Sequence, residues 1–73
     1  MIDIQQILDN ADLVVNGYAF TKCSIGYRVL NTHNTLNAMV ISFNGEPLES
    51  TMNDIEMKIV SDYFNKNKHF LDD

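Results

Sequence analysis

The sequence predicts an α+β domain of two layers in the order α-β-β-β-α. We expect a small antiparallel sheet of three to four strands, with a short N-terminal helix and a C-terminal amphipathic helix on one face. Three observations lead to this fold class: a helical period in the last third of the chain, alternating apolar and polar residues in the middle, and two Asn-Gly turn signals. Because 73 residues suffice for only one core, residues 1–73 are predicted to form a single domain.

The C-terminal helix is predicted over residues 50–70. At about 100° per residue, one broad and mostly apolar arc contains Met52, Ile55, Glu56, Ile59, Val60, Tyr63, Phe64 and Asn67. Acids and bases alternate every four residues on the opposite side of this helix. Ser50 or Thr51 is the expected N-cap. Ile59 is expected at the helix–sheet interface, where Ile59→Ala would lower the free energy of unfolding by about 2–5 kcal/mol.

The N-terminal part of the chain predicts a short helix followed by β-structure. Residues 3–11 place their apolar side chains at helical spacing, and Asp3 is the expected cap. Asn16-Gly17 then lies between short apolar segments. That pattern predicts either a tight hairpin or a bulge within one strand over residues 13–20.

The middle of the chain predicts a β-hairpin and an edge strand. Residues 22–30 alternate as one strand, with Cys23, Ile25 and Tyr27 on the same face, and residues 36–43 alternate as its antiparallel partner. Ser24, Arg28, Asn37 and Lys22 are expected on the face that contacts water. After the Asn44-Gly45 turn, residues 46–49 return as an edge piece, because Pro47 lacks the backbone donor that a central strand needs.

Charge and composition limit the partners that we expect. The formal net charge is −5 and the pI is near 4.6, so the surface repels nucleic-acid backbones and favours a protein partner with a basic surface. No apolar run is long enough to span a membrane. Residues 1–12 carry three acids and no base, unlike a secretory signal. The single cysteine cannot form a disulfide within the chain. These features predict a cytoplasmic protein with no membrane and no direct nucleic-acid partner.

The sequence contains no recognised catalytic or metal-binding motif. Cys23 is interpreted as a buried small hydrophobe, His33 as a loop residue and His69 as a cation near a helix C-terminus. None of them has the spacing of a known metal site. We therefore predict no enzyme activity, no cofactor and no metal.

The densest group of acids is the candidate binding site. Glu46, Glu49, Asp54 and Glu56 surround the turn at Asn44-Gly45 and the start of the C-terminal helix. We expect all four to be solvated and to form an acidic rim that binds protein.

Three functional hypotheses follow. The first is a non-enzymatic protein-interaction domain, of the kind with which phages and mobile elements inhibit CRISPR or restriction systems, docking on a basic surface of a nucleic-acid-handling protein. The second is a structural protein that assembles as a homodimer or larger homo-oligomer through a sheet edge. The third is a small enzyme that uses Cys23 or His33.

Overall fold

A computed structural model describes residues 3–71. The described elements are α1 (Ile4–Asn10), β1 (Leu13–Val15), β2 (Tyr18–Cys23), β3 (Gly26–Asn31), β4 (Ala38–Ser42), β5 (Pro47–Ser50) and α2 (Asp54–Leu71). The strands form one antiparallel sheet in the order β1-β2-β3-β4-β5. The predicted α+β class is confirmed, with five strands where three to four were expected.

The Asn16-Gly17 pair makes a hairpin and not a bulge. Asn16 has φ of 47° and Gly17 has φ of 83°, the positive values that a tight two-residue turn requires. A Cβ atom on Gly17 would lie 2.5 Å from Cδ2 of His33, so the turn packs closely against the β3–β4 loop. The hydroxyl of Thr32 also donates a hydrogen bond to the Gly17 carbonyl oxygen at 2.7 Å.

Residues 22–30 form parts of two strands, which corrects the expectation of one. Ser24 and Ile25 make a turn, and Cys23 pairs with Gly26 across it. Because Lys22 pairs with Tyr27, Cys23 and Tyr27 lie on opposite faces of the sheet. Cys23 is half-buried and Ile25 is exposed, so neither belongs to the core.

The hydrophobic core lies between the sheet and α2. Its buried members are Phe20, Tyr27, Val29, Met39, Ile41, Met52, Val60 and Phe64. The predicted β3–β4 pairing is confirmed, since Tyr27 lies opposite Ile41 and Val29 opposite Met39.

The N-cap of α2 is Asn53, whose Oδ1 accepts a hydrogen bond from the Glu56 N–H at 2.8 Å. Ser50 and Thr51, the expected caps, hydrogen-bond elsewhere. The Ser50 hydroxyl accepts from the Met52 N–H, and the Thr51 hydroxyl donates to the Leu36 carbonyl oxygen.

The helix buries a narrower face than its apolar arc suggests. Val60 and Phe64 are 0% exposed, whereas Ile59 is 38% exposed and Ile55 is 75% exposed. The prediction that Ile59 lies at the helix–sheet interface is therefore wrong. The sheet covers only part of a helix circumference, and Met57 and Tyr63 occupy the margins of the covered part.

The two helices lie on opposite faces of the sheet, which corrects the prediction of both helices on one face. Ala19, whose side chain points away from α2, is 1% exposed because α1 lies beside it. The α1 cap is Asp3, as predicted, and its carboxylate accepts from the Gln6 N–H at 3.1 Å. Lys22 is on the α2 face, where its ammonium lies 5.8 Å from the centre of the Phe43 ring, and not on the opposite face as expected.

Candidate binding groove and acidic edge

An open groove with a volume of about 760 Å³ crosses the sheet face opposite α2. One wall is α1 together with its N-cap Asp3, and the helix itself contributes Gln6, Ile7 and Asn10. The floor comes from β2, β3 and β4, and the other wall is the segment 49–51 at the edge of the sheet. The groove therefore needs four strands and a helix to form.

The strand register arranges the groove floor in two rows. Ala19, Leu30 and Ala38 lie opposite one another and form an apolar row. The next row runs through Thr21, Arg28, Val40 and Glu49. One cation and one acid thus lie on the same face, separated by the strand that carries Val40.

The charged groups of the second row are not paired with each other. Within residues 3–71, neither Arg28 nor Glu49 makes a side-chain hydrogen bond or an ion pair. Both side chains are exposed at the groove. Asp3, a third charged lining residue, uses its carboxylate to cap α1.

Three of the four predicted acids are exposed in or just after the turn and strand at the β5 edge of the sheet. Glu46 is in the β4–β5 turn, Glu49 is in β5, and Asp54 begins α2. All three are exposed, and their carboxylates make no hydrogen bond or ion pair within the described part of the chain. Leu48 lies among them and is 47% exposed. We call Glu46, Leu48, Glu49 and Asp54 the acidic edge.

Glu56 does not belong to this edge, and it is not the solvated acid that we expected. It is half-buried, and its carboxylate accepts hydrogen bonds from Tyr18 at 2.8 Å, Asn31 at 2.9 Å and Asn37 at 3.0 Å. Burial, together with the hydrogen bond and the negative charge of Glu56, raises the pKa of Tyr18 to about 12. Glu56 therefore joins the first turn of α2 to the sheet.

Cys23, His33 and His69 do not meet in one site. Cys23 ends β2 at the turn to β3, whereas His33 follows β3 at the opposite end of the sheet and packs on Gly17. The His69 ring lies 4.1 Å from that of Phe70. Among residues 3–71, no three His, Cys, Asp or Glu side chains come together in a group that could hold a metal ion. No helix in this range has the length and apolar character that crossing a membrane requires.

Sequence reasoning missed the groove. It placed Arg28 on a solvated face, but it did not place α1 beside that face. The small side chains of Ala19 and Ala38 were the available signal, because small residues on a sheet face leave room for another group.

Comparison with known proteins identifies a family for this chain. No curated protein and no solved structure matches it. The model of a family of unknown function, DUF7723, matches residues 1–71. Since this match covers almost the whole sequence, the chain belongs to the DUF7723 family.

Proposed function

We propose that this protein is a non-enzymatic interaction domain that docks through its acidic edge on the basic surface of a larger protein. The observation that carries the proposal is the position of Leu48. This apolar side chain is 47% exposed between Glu46 and Glu49, whose carboxylates have no partner within residues 3–71. An apolar anchor with charged neighbours has the arrangement of a protein–protein interface.

The charge of the protein supports a basic partner. The net charge is −5, and the segment 46–57 contains four acids and no base. Complementary charge accelerates encounter with a basic surface and selects against acidic ones. Pro47 lies in the edge strand and lacks the backbone donor for adding another strand, so side chains would make the contacts.

A cytoplasmic nucleic-acid-handling protein is the partner class that fits this charge. Such proteins carry basic grooves for phosphate backbones, and an acidic edge competes for the same cations. Inhibitors of CRISPR or restriction systems from phages and mobile elements can act in this way, and the small size and the negative charge of this domain support the proposal that it belongs to that functional class. Self-assembly through a sheet edge has less support, because β1 has three residues and β5 begins with Pro47.

The test is affinity capture from a host lysate, followed by affinity measurement with the captured protein at two salt concentrations. We expect Glu46→Lys with Glu49→Lys to weaken binding at least about tenfold at low salt, and Leu48→Ala to weaken it at both salt concentrations. The control is Asp9→Lys with Asp62→Lys, which changes the net charge equally at exposed positions away from the edge.

Two results would refute this proposal. One is equal loss of affinity in the edge variant and in the control, which would mean that only total charge matters. The other is full binding by both the charge-reversed edge variant and Leu48→Ala, which would show that the partner contacts a different surface.

A further inference from the structure

We infer that the groove opposite α2 is a binding site for a small apolar carboxylate, with the carboxylate held by Arg28. This inference goes beyond the proposed function, which uses the acidic edge for a protein partner. It depends on the shape of the groove, on its apolar floor and on the finding that Arg28 has no side-chain partner within residues 3–71.

The groove has the size and lining of a small-molecule site. Its volume of about 760 Å³ lies within the range of about 300–1,000 Å³ that such sites occupy. Leu30, Ala38 and Val40 provide an apolar floor, and Ile7 of α1 provides an apolar wall. A ligand with an aliphatic body would remove these side chains from water.

Arg28 is placed to bind an anion at the centre of this floor. It lies between Thr21 and Val40 in one cross-strand row, and it pairs with no acid within the described residues. The guanidinium is always charged, and its planar array of N–H donors matches the two oxygens of a carboxylate. The Thr21 hydroxyl, which makes no hydrogen bond within residues 3–71, is a second donor in the same row.

The acids of the groove restrict where the carboxylate can lie. Asp3 is in the α1 wall, and its carboxylate already accepts a hydrogen bond from the Gln6 N–H. Glu49 is two strands away from Arg28, or about 10 Å between backbones. Both acids repel an anion near the margins of the groove. The ligand carboxylate can therefore bind only beside Arg28. The net charge of −5 opposes the binding of any anion. The apolar body of the ligand must therefore contribute to the affinity, and acetate, which lacks such a body, would not bind.

Decanoate, below its micelle-forming concentration, is the probe for this site. We expect its titration to shift the amide resonances of α1 and of the β2–β4 groove residues, with the affinity measured by calorimetry. Arg28→Gln should weaken binding by about tenfold. Lys58→Gln removes an equal charge at an exposed position of α2, on the other side of the sheet, and should leave the affinity unchanged. Decanol should bind more weakly than decanoate, and decylamine more weakly still.

A second variant tests the position of the site independently of charge. Ala38→Leu adds volume to the floor, and we expect it to abolish decanoate binding while the thermal unfolding curve stays cooperative. The inference is overturned if decanoate causes no shifts at millimolar concentration, or if the shifts map outside the groove. It is also overturned if decanol or decylamine binds as tightly as decanoate, or if a folded Ala38→Leu variant keeps full affinity. None of these results would bear on the acidic edge, which is tested with a protein partner.

Discussion

Glu56 accepts several of the hydrogen bonds that join α2 to the sheet and its loops, beside the one from Tyr27 to the Leu71 carbonyl oxygen. Its carboxylate accepts from Tyr18 of β2, Asn31 of β3 and Asn37 of the following loop. These donors come from two strands and a loop, so one side chain ties the first turn of α2 to all three. The three donors satisfy the oxygens of this half-buried carboxylate, which explains why an acid is tolerated within the apolar arc of the helix.

This contact makes the stability of the protein sensitive to alkaline pH. Folding raises the pKa of Tyr18 from 10.0 to about 12, so the folded state holds the phenol proton more tightly than the unfolded chain. The resulting stability is fully present below pH 10 and is lost as the pH rises toward 12. We expect urea unfolding to show a steeper loss of stability in this window for the parent protein than for Tyr18→Phe. Parallel curves for the two proteins would contradict the assignment.

The elements that were predicted correctly have a strong period or a strong turn signal. Asn16-Gly17 has the positive φ values of a hairpin turn, and the alternation of residues 36–43 matches β4. The Ser24-Ile25 turn has no comparable signal, because Ile25 continues the alternation of its neighbours. The chain reverses at this two-residue turn and pairs Cys23 with Gly26, so Cys23 shares the face of Gly26 and not that of Tyr27. For this reason Cys23 was misplaced.

The orientation of α2 gives a prediction with an internal control. Val60 is 0% exposed, whereas its neighbour Ile59 is 38% exposed. Val60→Ala should lower the free energy of unfolding by about 2 kcal/mol, and Ile59→Ala should cost less than about 1 kcal/mol although it removes more atoms. Urea denaturation of both variants measures the difference. A larger loss in the free energy of unfolding for Ile59→Ala than for Val60→Ala would restore the original expectation that Ile59 faces the sheet.

At the scale of the whole molecule, the exposure of Glu46, Glu49 and Asp54 could be predicted from the sequence and the groove could not. These acids belong to one short segment of turn, edge strand and helix start, so their exposure could be inferred with little knowledge of the fold. The groove brings together α1 and the segment 49–51 across three strands, and its geometry exists only when the register and the face of α1 are known. Arg28 becomes a candidate ligand-binding residue only at that point.

The same architecture implies that stability is unevenly distributed. The strand β3 has a hydrogen-bonded strand on each side and is covered by α2, whereas α1 has seven residues and none of them is buried. Helices this short are not stable without packing, and the packing of α1 is limited to one side of an open groove. The wall of the groove should therefore open more easily than its floor.

Hydrogen exchange measures this difference directly. We expect the amides of α1 to exchange much faster than those of β3. If α1 opens by local unfolding, the exchange rate of its amides should be the same in Val60→Ala as in the parent protein. The β3 amides should exchange faster in that variant, because their exchange requires global unfolding and Val60 is part of the core. Equal protection of α1 and β3 would show that the helix unfolds only with the rest of the domain. The groove wall would then be as rigid as the sheet, and a ligand would have to enter an already formed site.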